Sequence, residues 1–231
     1  MTNELRTCEN CSIQYEHEPL MAFGSDIIAH INVCLVCSSV MEDQQNKKKR
    51  EDDAKTKWET TVPDEYRNTK EDHSDFPNSV LGDCLKMIKS NENPFIGLIG
   101  RSGIGKTRVA AMIIKRLIWR GDFATWINSS TFQWACQNQF NDGNSKEAQS
   151  LLKSCRESKN LVFDDIGSLK STETVSDNLY SVLEHRTTTG QRMIWTSNET
   201  LDEILAGKGL SEKARARSIS RLGGYSNIIE L

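Results

Sequence analysis

Gly100-Arg101-Ser102-Gly103-Ile104-Gly105-Lys106-Thr107 is the segment whose residue types and spacing most directly imply chemistry. Glycines at its first, fourth and sixth positions let the backbone curl so that the N–H groups of Gly103 through Thr107 point inward. N–H donors gathered at a helix start form an anion cradle, and the helix dipole adds partial positive charge there. The expected ligand is a nucleoside triphosphate held by Gly100, Ser102, Gly103, Ile104, Gly105, Lys106, Thr107 and Arg108. Lys106 is expected to reach the β and γ phosphates, and Thr107 to place its hydroxyl on Mg²⁺.

A second acidic element is needed for hydrolysis, and Leu161-Val162-Phe163-Asp164-Asp165 supplies it. A buried strand delivers carboxylates at its C-terminal edge, where parallel sheets bind ligands. Asp164 is placed to hold Mg²⁺ through water, and Asp165 to orient and deprotonate the attacking water. A later apolar run ends in Thr196-Ser197-Asn198. The Asn198 amide can hydrogen-bond the γ-phosphate or the attacking water, although asparagine also favours turns after strands.

Four of the seven cysteines form two matched pairs, Cys8-x₂-Cys11 and Cys34-x₂-Cys37. Each pair can clamp one metal from a tight knuckle, and four thiolates complete a closed, tetrahedral, structural Zn²⁺ site. A segment this short cannot fold on its own core, so the metal would supply its stability. His17 and His30 lie between the pairs as alternates. Cys84, Cys136 and Cys155 have no partner spacing and read as buried thiols.

These groups need elements to position them. Residues 95–99 (FIGLI), 123–128 (FATWIN), 161–163 (LVF), 193–196 (MIWT) and 227–231 (NIIEL) read as buried strands. Val109, Ile113 and Leu117 share one helix face, and Val175, Leu179, Val182 and Leu183 another. Strands alternating with helices predict parallel β-α units: an α/β fold with a five-stranded parallel sheet covered on both faces. The predicted organisation is a zinc ribbon or knuckle over 1–38, a charged linker or exposed helix over 39–57, and the nucleotide domain over 58–231.

The net charge of −3 is unlike that of a protein that coats duplex DNA, so any nucleic-acid contact must come from a local patch. Lys208, Lys213, Arg215, Arg217 and Arg221 against Glu212 form one, and residues 168–172 form a polar loop. Trp126, Phe132 and Trp134 read either as stacking surfaces or as core. No apolar run reaches the length of a membrane span, and no signal peptide opens the chain. A cytoplasmic protein is expected, and the family resemblance that follows implies a bacterial cell or phage-infected host.

The order of parts resembles the AAA+ P-loop ATPases. VPDEYRNT, GKTR, LVFDDIG, LYSVLEHR, IWTSN and SRL narrow the resemblance to the DnaC/DnaI/IstB-type ATPases, over residues 58–231. It implies that Asp164 and Asp165 form the Walker B pair and Asn198 the first sensor. It further implies an arginine finger shortly before the last strand, with Arg221 the first choice and Arg217 its runner-up or accomplice. Such a finger acts on a neighbour's nucleotide, so a ring or helical oligomer is implied. The chain stops at NIIEL, so no helical C-terminal lid is expected. Asp165 stands where many AAA+ proteins carry glutamate, which implies slow turnover. The function implied is an ATP-dependent helicase loader that binds single-stranded DNA and a DnaB-type hexameric helicase, some loaders carrying an N-terminal zinc module. The alternatives are an IstB-like transposition helper and a nucleotide-gated DNA-binding adaptor with little turnover.

Overall fold

A computed structural model describes residues 4–17, 32–90, 92–170, 172–206 and 212–231. The chain divides into two compact units, Met1–Asp53 and Ala54–Leu231.

The first unit opens with an antiparallel pair, β1 (Glu4–Thr7) and β2 (Gln14–His17), with Thr7 opposite Gln14. The tight turn beyond β1 carries Cys8 and Cys11. Cys34 and Cys37 stand at the start of α1 (Leu35–Thr61). Residues 39–57 all lie within α1, whose 27 residues carry no apolar stripe over most of their length. A helix that is polar all round gives no periodic signal. Its last turns belong to the second unit, where Ala54, Trp58 and Val62 follow one another at helical spacing and are buried.

The second unit continues through α2 (Asp64–Arg67), α3 (Asn78–Ser90), β3 (Phe95–Ile99), α4 (Lys106–Trp119), β4 (Ala124–Asn128), α5 (Ser129–Asn138) and α6 (Ser145–Glu157). After them come β5 (Asn160–Asp164), a 3₁₀ turn at Ile166–Ser168, α7 (Glu173–Thr189), β6 (Arg192–Ser197), α8 (Leu201–Ala206), α9 (Glu212–Tyr225) and β7 (Ser226–Glu230). The sheet is parallel throughout, in the order β4-β5-β6-β3-β7. The five strands expected from the apolar runs are all present, the first with the expected ends and the others with ends moved by no more than one residue.

Side chains alternate across a strand, and the core divides accordingly. Ile96, Leu98, Val162 and Ile194 face α4, α3 and the end of α1. Phe95, Ile99, Phe163, Met193 and Trp195 face α5, α6 and α7. Phe132 is wholly buried in this second layer, so it offers no stacking surface, and Trp134 packs against the layer's edge. Trp126 is stacked on Tyr66, with ring centroids 5.9 Å apart. Cys84, Cys136 and Cys155 are buried thiols. At the sheet edge away from the nucleotide loop, buried Arg186 donates to the carbonyls of Cys155 and Ser158, each at 2.9 Å, and of Arg192. One guanidinium thus ties α7 to the end of α6 and the start of β6.

Candidate functional site

The loop between β3 and α4 follows from backbone conformation. Gly103 and Gly105 have φ of 85° and 99°, a region costly for any residue with a Cβ. Gly105 caps α4 without a side-chain acceptor, so the first N–H groups of the helix remain available to a ligand. Ser102, Gly103, Gly105, Lys106, Thr107 and Arg108 line a cleft of about 410 Å³, faced by Asp164, Asp165, Thr196 and Asn198. Gly100 and Ile104 lie behind the wall: the Ile104 side chain sits where a Cβ on Gly100 would be.

Lys106 is only 6% exposed. Its ammonium donates to the carbonyls of Gly100 and Arg101, both at 2.8 Å, and to Asn198 Oδ1 at 2.9 Å. Its three donors therefore meet three acceptors. Burial lowers its pKa, opposed by the charges of Asp165 and Asp164. Thr107 and Thr196 both donate to Asp164 Oδ1, at 2.9 and 2.7 Å. Burial raises the pKa of Asp164 against those two hydrogen bonds, and the Asp165 and Glu65 charges add to the rise. Asn198 Nδ2 donates to Asp165 Oδ1 at 3.3 Å. A hydroxyl and a carboxylate side by side at a phosphate cradle are hard oxygen donors that fit Mg²⁺.

In the first unit, the Sγ atoms of Cys8, Cys11, Cys34 and Cys37 all lie within 4.8 Å of one another. Cys11 and Cys34 are 3.7 Å apart at sulfur. That is far beyond a disulfide bond, but close to the edge of a tetrahedron with Zn–S bonds of about 2.3 Å. The two knuckles are joined: Glu9 N–H donates to the Asn32 carbonyl at 2.9 Å, and Asn32 Nδ2 to Glu9 Oε1 at 2.8 Å. The Cys34 N–H, helped by those of Cys11 and Asn10 and opposed by burial, pushes the Cys8 thiol down to about 6. A readily formed thiolate in a four-sulfur cage fits zinc. Among the described residues this is the one His/Cys/Asp/Glu cluster whose ligand atoms converge in this way. His30 lies outside the described residues.

A sequence profile of the IstB-like ATP binding protein family matches residues 38–216. The chain belongs to this family. No curated protein matches the chain in sequence. Among solved structures, this IstB-like ATPase is similar to the DnaC helicase loader at 15% identity and TM-score 0.56, covering 77% of this chain and 99% of that one. It is similar to DnaI at 17% identity and TM-score 0.56, covering 73% and 94%. AMPPCP-bound DnaA from Aquifex aeolicus matches at 17% identity and TM-score 0.56, covering 74% of this chain. The IstB-like chain spans about half of that DnaA, 51% of its length. At such identities the likeness shows a shared fold, that of the AAA+ ATPases.

The remaining expected residues of this IstB-like ATPase lie away from the cleft. Arg221 pairs with Glu184 on α7 at 2.8 Å and reaches the Tyr225 hydroxyl at 3.3 Å. Arg217 is exposed on α9. Lys208 and Ser171, from the basic patch and the polar loop, lie outside the described residues. Several cleft residues were not legible in the sequence. Tyr66 lines the cleft from α2, where burial pushes its phenol up to about 12. Thr196 was read only as part of a strand end, yet it bridges the Asp164 carboxylate and the Asp165 N–H. Ser129 donates to the Asp165 carbonyl. Single polar residues carry no pattern; only the parallel register of β4, β5 and β6 brings these together. No helix among the described residues is long and apolar enough to cross a membrane.

Proposed function

We propose that this protein is an ATP-dependent helicase loader of the cytoplasm. It binds ATP with Mg²⁺, assembles with copies of itself on single-stranded DNA, and delivers a DnaB-type replicative hexamer. The observation that carries this reading is a nucleotide fold matching 99% of the DnaC helicase loader.

ATP enters with its phosphates against the free N–H groups at the start of α4. Lys106 exchanges its two carbonyls for β- and γ-phosphate oxygens. Thr107 and Asp164 would hold Mg²⁺, which would supply positive charge to offset that of the phosphates. A second cleft of about 280 Å³ shares Arg108 with the first and is bounded by Asn68, His73 and Phe76, giving the nucleoside end a place. Asp165 takes a proton from water while the water oxygen bonds to the γ-phosphorus. The bond from that phosphorus to the ADP oxygen breaks, leaving ADP and phosphate. Asn198, within reach of Lys106 and Asp165, aligns that water with the γ-phosphate. Arg221, with Arg217 beside it, serves a neighbour's nucleotide after leaving Glu184. The short reach of Asp165 makes turnover slow. Cys8, Cys11, Cys34 and Cys37 hold a structural Zn²⁺, and this module grips the helicase.

A second reading, an IstB-like transposition helper, shares the same family match. Affinity capture of the full chain with ATP from its host separates the two. Co-elution of the replicative helicase is expected; a transposase in its place would replace the first reading with the second.

A further inference from the structure

The end of the second unit opposite the ATP cleft carries aromatic rings that the core leaves open. α4 runs 14 residues from Lys106 at the cleft to Trp119, about 20 Å. There it meets the starts of β4, β5 and β6, whereas the cleft lies at their C-terminal ends. Trp119 is 45% exposed, and Phe123, directly before β4, is 66% exposed. Trp58 is buried beside Trp119, edge to face, with ring centroids 6.3 Å apart. The buried ring holds the exposed one in place.

Cations gather on these rings. Lys57 Nζ lies 4.0 Å from the centroid of Phe123, over one face of the ring. Lys115 Nζ lies 5.6 Å from the Trp58 centroid and 5.8 Å from that of Trp119. Arg120 follows Trp119 and is exposed. Asp122 is taken by Lys159, directly before β5, at 2.5 Å. Arg192, which opens β6, adds a further cation: burial lowers its pKa, the Asp122 charge opposes that, and the Arg120 charge adds to it. Among the described residues, Lys57, Lys115 and Arg120 form no ion pair.

We propose that Phe123 and Trp119, with Lys57, Lys115 and Arg120 around them, form a landing surface for single-stranded DNA. This rests on the reading that the protein assembles on such a strand, and it gives the strand a place on the face away from ATP. Unpaired bases stack on exposed aromatic rings, and unpaired cations meet the phosphates between them. A duplex keeps its base faces covered by its own stacking, so open rings select the unpaired strand. An acidic peptide would use the cations and leave both ring faces idle. The chain as a whole carries a net charge of −3, so a polyanion must find a local patch of this kind.

Fluorescence anisotropy of a labelled oligothymidylate, titrated with the full-length chain in the presence of ATP and Mg²⁺, tests this. Phe123→Ala is expected to weaken binding by about five-fold to a hundred-fold, the range that stacking of one base represents. Phe123→Trp keeps a stacking face and should bind as the natural chain does. Lys115→Gln and Arg120→Gln should each flatten the dependence of log Kd on log salt by about 0.7, the share of one phosphate on a single strand. ATP affinity should be unchanged in all four variants, which reports an intact fold. If the natural chain and Phe123→Ala bind the oligonucleotide equally, the surface is overturned while the single-strand reading stands. If the natural chain binds no oligothymidylate, the two fall together. Phosphatidylserine vesicles are the counter-probe: binding to them that Phe123→Ala abolishes, with oligonucleotide binding untouched, would make this a membrane surface and overturn the proposal.

Discussion

The Thr107 hydroxyl donates to Asp164 Oδ1 across 2.9 Å, joining residues 57 positions apart in the chain. The contact spans two motifs, the start of α4 and the end of β5, and Thr196 donates to the same oxygen from the strand between them. The oxygen donors for a hard cation are thus assembled before any ligand arrives, which lowers the cost of ordering them on binding.

Lys106→Ala removes the one buried ammonium of the cleft. Losing a hydrogen bond to a charged group costs about 1.5–3 kcal/mol, so ATP affinity should fall by about ten-fold to more than a hundred-fold. Titration with a fluorescent nucleotide measures it, and unchanged affinity would refute the placement of the phosphates.

Arg221→Ala and Asp165→Asn should each lower turnover, the former by up to about 10³-fold if the arginine stabilises γ-phosphate charge. A mixture of the two variants tests whether the finger acts between subunits. Some interfaces would then pair an intact Arg221 with an intact Asp165, and hydrolysis should partly return. Absence of recovery at every mixing ratio counts against a finger supplied by a neighbour.

About one zinc per chain is expected by elemental analysis, falling to near zero in Cys34→Ser. The first unit should lose its amide-exchange protection on metal removal while ATP binding by the second persists. A metal-free chain that keeps the same protection over residues 4–17 would show that the four sulfurs need no ion.

Asp164 offers a stability test with a definite sign. Burial raises its pKa above the ordinary 3.8, against the hydrogen bonds from Thr196 and Thr107. A carboxyl raised on folding contributes stability below its unfolded value and loses it as pH rises through the folded value. At neutral pH the ionised group therefore weakens the nucleotide-free protein. Asp164→Asn should raise Tm at neutral pH, with the gain vanishing below the ordinary carboxylate range, and should abolish Mg²⁺-dependent ATP binding. A lower Tm at neutral pH would contradict this, and calorimetry across pH decides it.

The strands were legible because a sheet covered on both faces needs unbroken apolar runs, and FIGLI and LVF are such runs. The phosphate loop was legible because its glycines are demanded by backbone angles rather than by neighbours. Residues 39–57 left linker and helix open because almost nothing there is buried, and only Ala54, Trp58 and Val62 hint at a docked face farther on. Ser129 and Thr196 act through hydrogen bonds fixed by strand register, which no local pattern announces. Tyr66 acquires its place by stacking on Trp126, a residue sixty positions away.

The strand order has a final consequence for charge. β3 and β5 lie two strand spacings apart, about 10 Å, with β6 between them. Asn198, at the end of that middle strand, turns its oxygen to the Lys106 ammonium and its nitrogen to the Asp165 carboxylate. It is an amide dipole laid along the line from cation to anion. As a spacer, it lets the two charges sense each other without collapsing into a direct ion pair. A closed ion pair would have to be broken for each incoming phosphate; an interposed dipole only has to turn.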